Sequence, residues 1–202
     1  MHKNLPKYYY FIDKFQKDDI KNINKNIAII YRNYSEKIDI NLIKKIKNFL
    51  KKKKIKFFLA NNIKIAIKLN LDGVYIPSFN NRFKINSYSK KKNFLIIGSA
   101  HNLKEIKTKE KQGIELIFIS PLFKTTKSKE FLDCVKFNIL SQLTSKKLIA
   151  LGGINRSNIQ KLSLLNIYGF ASISFLKNTD KLSLSRVITK QMHHINNIVK
   201  NK

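Results

Sequence analysis

The sequence predicts a single α/β domain folded as a parallel (β/α)8 barrel, and three observations support that class. Short runs of aromatic and β-branched residues recur eight times, at Tyr8–Ile12, Ile27–Tyr31, Ile55–Leu59, Gly73–Ile76, Phe94–Ile97, Leu116–Ser120, Leu148–Leu151 and Phe170–Phe175. Eight is the strand number of that barrel. Between the runs lie segments with helical spacing, each long enough for one crossover. Apolar strands separated by amphipathic helices indicate a parallel sheet covered on its outer face. Finally, Leu148-Ile-Ala-Leu-Gly-Gly-Ile-Asn155 places two of the chain's six glycines side by side where the seventh strand ends. An open doubly wound sheet is the alternative; it favours a glycine-rich turn after its first strand, and Asp13-Lys-Phe-Gln16 has no glycine.

Taken in order, Tyr8-Tyr-Tyr-Phe-Ile12 reads as an apolar first strand in preference to a base-stacking platform. Asp39 is a good N-cap for a helix with Ile40, Ile43, Ile46, Phe49 and Leu50 on one face. That helix ends in Lys51-Lys-Lys-Lys54, where cations suit the helix dipole. Residues 80–93 are polar without an apolar stripe, so a short or irregular helix is expected there. Asn102 is placed to cap the helix containing Leu103 and Ile106, and Asn155 or Ser157 the helix from Ile159 to Leu165. From Thr179, the residues Leu182, Leu184, Val187, Ile188, Met192 and Ile195 suggest a closing helix that frays near Asn201. No linker divides the chain, so residues 1–202 are read as one domain, with 177–202 as its closing helix and tail.

Composition alone points elsewhere. Forty-one Lys+Arg against 12 Asp+Glu give a formal net charge of +29, which raises nucleic-acid binding. The lysines are nevertheless scattered through nearly every polar stretch, and Asn and Ile are abundant beside them, the signature of biased base composition. The Lys51–Lys54 run is read as a solvated helix end, with an RNA or membrane-surface patch as the alternative. At 202 residues and 43% hydrophobic, the chain is long enough for one well-buried core. Its longest apolar runs, such as Leu116–Ile119, are far shorter than the roughly 20 residues of a membrane helix. Met1-His-Lys-Asn-Leu-Pro6 lacks an apolar signal core, and the single Cys134 permits no internal disulfide. Together these lead to an expected cytoplasmic location.

In such a barrel the functional face lies at the carboxyl ends of the strands. The residues there are Asp13, Arg32, Tyr34, Asn61, Asn62, Ser78, Asn80, Ser99, His101, Pro121 to Lys127, Gly152-Gly153 and Ser172 to Ser174. Hydroxyls, amides and cations dominate, while carboxylates are nearly absent. That set disfavours paired-carboxylate catalysis and favours an anionic substrate. Two consecutive strand ends, at Gly152-Gly153 and Ser172 to Ser174, suit one phosphate held by backbone N–H groups and hydroxyls.

The order Gly98-Ser-Ala-His-Asn102, Phe118-Ile-Ser-Pro-Leu-Phe-Lys-Thr-Thr-Lys127, Ile149-Ala-Leu-Gly-Gly-Ile-Asn155 and Gly169-Phe-Ala-Ser-Ile-Ser174 resembles the thiamine-phosphate synthases and the related TenI tautomerases. Asn61–Ile76, with Ala66, Leu69 and Asp72-Gly-Val74, is similar to the family's region around the third helix and fourth strand, so the resemblance spans about residues 27–176. It implies a transferase of thiamine biosynthesis that condenses hydroxymethylpyrimidine diphosphate with thiazole phosphate. Arg32 and Lys127 would then bind diphosphate, with Lys127 also catalytic, and Ser99 and Asn61 would touch substrate. Thr125, Thr126, Gly152, Gly153, Ile173 and Ser174 would hold the thiazole phosphate. The expected partners are thus phosphorylated small molecules, with no membrane, no specific nucleic acid and a homo-oligomer as an option.

Several positions depart from the family pattern. Its metal-binding carboxylates fall on Asn61 and Asn80, so the implied Mg2+ should be weakly held or lost. The family's Gln-x-Arg-x-Lys reads Ile30-Tyr-Arg-Asn-Tyr34, and its Pro-Thr-x-Thr-Lys loop is shortened to Lys124-Thr-Thr-Lys127. His101 matches the histidine that moves protons in the tautomerases and is the second catalytic candidate; a ring simply satisfied at a helix start is the plain alternative. A tight turn at Gly152-Gly153, interior packing of Ser172 and Ser174, and surface positions for His193 and His194 are the corresponding plain readings elsewhere. A TenI-like tautomerase or a non-catalytic phosphate-binding relative is the second functional reading, and a basic nucleic-acid-binding protein the third.

Overall fold

A computed structural model describes residues 5–34, 37–126, 128–173 and 175. Eight parallel strands close into a barrel in sequence order: β1 (Tyr8–Ile12), β2 (Ile27–Tyr31), β3 (Phe57–Ala60), β4 (Gly73–Ile76), β5 (Leu95–Ala100), β6 (Leu116–Ile119), β7 (Lys147–Leu151) and β8 (Gly169–Ser172). Closure is made by β8 against β1, with Tyr8 opposite Phe170 and Tyr10 opposite Ser172. The expected (β/α)8 architecture is therefore present, with strand bounds moved by up to three residues. The largest moves are at β5, which runs on to Ala100 and takes Ser99 into the sheet, and at β8, which stops at Ser172.

Alternation along the strands sorts the core into two compartments, as a period of two requires. Tyr9, Phe11, Ala28, Ile30, Phe58, Ala60, Tyr75, Ile97, Phe118, Ile149 and Ala171 fill the barrel interior. Their neighbours Tyr8, Tyr10, Ile29, Phe57, Ile96, Ile117 and Phe170 point outward and pack with helix residues such as Ile43, Ile46, Leu50, Ile106 and Phe137. The interior is heavily aromatic, with Tyr9 and Phe118 edge to face at 4.9 Å and Phe11 and Tyr75 at 5.2 Å. Such pairs contribute about 0.5–1.5 kcal/mol beyond the area they bury.

The crossovers are α1 (Lys17–Ile20), α2 (Ile40–Lys52), α3 (Ile63–Lys68), α4 (Leu103–Lys111) and α5 (Asp133–Gln142), with 3-10 turns at Phe83–Ser87 and Ile159–Leu164. Asp39 caps α2 by accepting from the N–H groups of Asn41 and Leu42, and Asn102 caps α4 through the N–H of Glu105, as their positions predict. The polar crossover at 80–93 is indeed only a short 3-10 turn. The segment after β7 differs from expectation: it is a 3-10 turn starting after Asn158, capped by no side chain. The Asn155 carboxamide instead accepts from the N–H and hydroxyl of Ser157, closing a local turn that competes with a helix cap. The expected closing helix, with His193 and His194, lies outside the described residues.

Candidate functional site

At the carboxyl ends of the strands, the aromatic filling of the barrel ends in Phe11 and Tyr75. Arg32 follows β2, its N–H bonded to the Ile12 carbonyl at 2.8 Å. Its guanidinium lies 4.9 Å from the centre of the Phe11 ring. Arg stacked on an aromatic face keeps its in-plane N–H fork available for an anion. Burial raises the Tyr75 phenol above its ordinary value, against the opposing pulls of the Ser99 hydroxyl and the Arg32 guanidinium. Two candidates far apart in sequence, Arg32 and Ser99, thus both act on the electrostatics of one buried tyrosine. Tyr34 packs on Phe79 at 5.5 Å, and both rings are exposed.

The expected metal positions are also brought together, but as a neutral pair. Asn80 Nδ2 donates to Asn61 Oδ1 at 2.7 Å, and Asn80 Oδ1 accepts from the Arg82 N–H at 3.0 Å. Asn61 has a φ of 58°, a left-handed conformation that asparagine tolerates. Behind them lies Lys109 of α4, fully buried. Its ammonium donates to the carbonyls of Pro77 and Asn80, each at 2.8 Å, and to Gln112 Oε1 at 3.0 Å. All three ammonium protons are therefore committed. Burial pushes the Lys109 pKa down to about 8, while Glu105 pulls it up; three acceptors around Nζ require the ammonium form. Gln112 Nε2 reaches the carbonyls of Asn80 and Arg82 at 2.8 and 3.1 Å. Mg2+ is bound through one or two carboxylates with waters and phosphate oxygens. Two carboxamides bonded to each other, with an ammonium directly behind, do not fit that ion, and no group of three or more His, Cys, Asp or Glu among the described residues is arranged to hold a metal.

His101 is anchored at both ring nitrogens. Nδ1 lies 2.6 Å from the Ser120 carbonyl oxygen, which can only accept, so Nδ1 carries the proton. Nε2 is then the acceptor of the neutral ring, 3.1 Å from Ser78 Oγ. The His101 backbone N–H donates to Glu105 Oε2 at 2.8 Å, which occupies the nearest carboxylate of α4 in the helix start. This is the satisfied ring of the plain reading, yet it is also a ring held in one tautomer with its basic nitrogen at the mouth.

Opposite, the loop after β6 zips onto the end of β7. Leu122 N–H bonds the Leu151 carbonyl at 2.8 Å and Phe123 N–H the Gly152 carbonyl at 3.1 Å. Gly152 and Gly153 have φ values of 94° and 71°. A Cβ on Gly153 would lie 2.5 Å from the Phe123 carbonyl oxygen, and one on Gly152 2.8 Å from Pro121 Cα. The double glycine is thus required by the close approach of protein backbone to protein backbone. Thr125 Oγ1 accepts from the Ser128 N–H at 3.0 Å, bracing the loop, and Thr126 is exposed. Ile173 follows β8 with half its surface open. Ser172 shares the outward parity of Phe170, and its hydroxyl accepts from the Phe175 N–H at 2.9 Å, so it serves the strand end and not the mouth. Lys127 and Ser174 lie outside the described residues.

Sequence reasoning passed over Phe11, Tyr75, Lys109, Gln112 and Ser120. For Lys109 and Gln112 a signal existed: they follow Ile106 at steps of three, on the stripe that α4 buries. A cavity lined by Lys7, Lys25, Lys54, Lys56 and Tyr168 opens at the amino-terminal face, the end that in this architecture carries stability and not chemistry.

The family model for thiamine monophosphate synthase matches residues 24–176. The chain is 22% identical over 205 residues to a thiamine-phosphate synthase of Methanococcus maripaludis strain C5, covering 96% of each chain. It is 25% identical over 175 residues to the thiamine-phosphate synthase of Clostridium novyi, covering 85% of this chain and 86% of the relative. Among solved structures, thiamine phosphate pyrophosphorylase from Pyrococcus furiosus superposes with a TM-score of 0.70 at 18% identity, covering 97% of this chain and 96% of that one. The 3-hexulose-6-phosphate synthase of Salmonella typhimurium reaches 0.69 at 14% identity over 94% and 99%. The structural likenesses establish the barrel. With the sequence match across most of its length, the chain belongs to the thiamine monophosphate synthase family.

Proposed function

We propose that this chain is a thiamine-phosphate synthase-like transferase of thiamine biosynthesis, which joins hydroxymethylpyrimidine diphosphate to thiazole phosphate and releases pyrophosphate. The observation that carries this reading is the Arg32 guanidinium over the Phe11 ring, which in turn packs edge to face on Tyr75, at the mouth of a family barrel. In the reaction the bond between the pyrimidine methylene carbon and the diphosphate oxygen breaks, and the oxygen keeps the electron pair. The thiazole nitrogen lone pair then forms the new C–N bond to the carbocation. No proton transfer is needed, so the site must stabilise departing charge and keep water away.

Arg32, and Lys127 after it in the chain, are assigned to the departing diphosphate. Ser99 and Asn61 are assigned to the pyrimidine substrate, with the exposed Tyr34–Phe79 pair as an apolar wall against water. Thr125, Thr126, Gly152, Gly153, Ile173 and Ser174 are assigned to the thiazole phosphate. The reading is tested by incubating the purified protein with both substrates and measuring thiamine phosphate. Product is expected, and its absence at enzyme levels sufficient for slow turnover removes the reading.

The His101 geometry favours a second reading, a TenI-like tautomerase. With Nδ1 bonded to the Ser120 carbonyl, Nε2 beside Ser78 Oγ is the ring nitrogen left to accept a proton. It predicts proton exchange on a thiazole carboxylate phosphate that disappears in His101→Ala; unchanged exchange removes it.

A further inference from the structure

The carboxyl ends of β3 and β4 carry a cation of their own. Lys109 reaches there from α4, fully buried, and spends its three protons on Pro77, Asn80 and Gln112. Gln112 adds two bonds to the carbonyls of Asn80 and Arg82, so the whole segment from Pro77 to Arg82 is pinned from behind. In front of it Asn80 and Asn61 face each other as donor and acceptor. A fixed positive charge at low dielectric acts over a longer range than one in water, and it repels a second cation as strongly as it attracts an anion. The neutral amide pair offers no charge to offset that repulsion.

We infer that Lys109 is a built-in cation that makes this anion site independent of a divalent metal: it sets the loop bearing Ser78 and Asn80, holds Asn80 against Asn61, and attracts the diphosphate end of the substrate through space. Lys109 touches no substrate and is a positioning residue. The inference rests on the transferase reading only for the identity of the diphosphate, since free pyrophosphate presents the same chemistry.

The test is calorimetric titration of the full chain with pyrophosphate, once with a chelator and once with millimolar Mg2+, using inorganic phosphate as the comparison anion. Equal pyrophosphate affinity in the two conditions is expected. Tightening of more than about tenfold by Mg2+, or no pyrophosphate binding in either, overturns the inference. Lys109→Met should weaken pyrophosphate at least about tenfold and the less charged inorganic phosphate by a clearly smaller factor, and Lys109→Arg should restore part of the loss. Equal weakening of both anions would reduce Lys109 to a structural role and overturn the inference. Because Lys109→Met strands buried carbonyls and can fail to fold, a second variant leaves Lys109 alone. The double change Asn61→Asp with Asn80→Asp should create Mg2+-dependent pyrophosphate binding where none existed, and metal-insensitive binding in that variant counts against the inference.

Product assays separate the two claims. Thiamine phosphate formed equally with chelator and with Mg2+ supports both. Product formed only with Mg2+ keeps the transferase and overturns metal independence. Metal-free pyrophosphate binding without product in either condition keeps the inference and removes the transferase.

Discussion

At the ends of β3 and β4 the barrel mouth is shaped by side chains: Asn80 bonds Asn61, and Lys109 and Gln112 hold the loop by its carbonyls. Across the mouth, at the ends of β6 and β7, it is shaped by backbone: Leu122 and Phe123 bond the carbonyls of Leu151 and Gly152, and two glycines with positive φ let the chains touch. The first arrangement tolerates replacement of one polar group by another of similar reach. The second tolerates almost nothing, because a carbonyl oxygen 2.5 Å from a would-be Cβ has nowhere to go. Asn61 and Asn80 stand where geometry permits exchange of polar groups, and the glycine pair stands where sterics demand it.

Substitutions sharpen that contrast. Gly153→Ala should have the largest effect, combining a left-handed backbone cost with a clash against Phe123 and Lys124. About 3 kcal/mol is expected, or on the order of 10 °C of Tm for a domain of this size. A thermal melt within a degree or two of the parent would show that the loop can retreat. Arg32→Ala comes next and acts on function. Losing charge-assisted hydrogen bonds worth roughly 1.5–3 kcal/mol should raise KM for the pyrimidine diphosphate about 10- to 100-fold, with little change in the melt; an unaltered KM would place the diphosphate elsewhere.

Asn80→Ala removes one half-exposed side chain from the amide pair, and about 1 kcal/mol is expected. Denaturant titration that gave a loss as large as Gly153→Ala would erase the difference between the two sides. Thr126→Ala is the mildest: the residue is exposed, so stability should stay within about 0.5 kcal/mol. Its affinity for thiazole phosphate should fall, and unchanged affinity would withdraw Thr126 from the phosphate assignment.

Much of the fold was legible because its determinants are local. Runs of five or so apolar residues located all eight strands, and Asp39 and Asn102 cap the helices they precede. The candidate site was legible in part. Arg32 and Ser99 both bear on the Tyr75 phenol, a residue that reads in sequence as one more apolar strand position. Ser172 does not converge, because β8 ends two residues before its neighbour Ser174 and strand parity turns Ser172 outward. The seventh crossover lost its expected cap because Asn155 finds Ser157 two residues away before any helical N–H.

What the sequence determined by itself was the strand count, the capped starts of α2 and α4, and the chemical type of the mouth, since each follows from periodicity and residue identity. What only the tertiary structure decided was that, among the described basic residues, Lys109 stands inside. Lys109 has partners 29 and 32 positions away at Asn80 and Pro77, and a lysine among many reads as solvated until those carbonyls are brought to it. The same holds for the glycine pair, whose requirement comes from the facing backbone of residues 121–124. Burial of a charge and contact of two loops are properties of distant segments, set by the closing of the barrel and by nothing in the local chain.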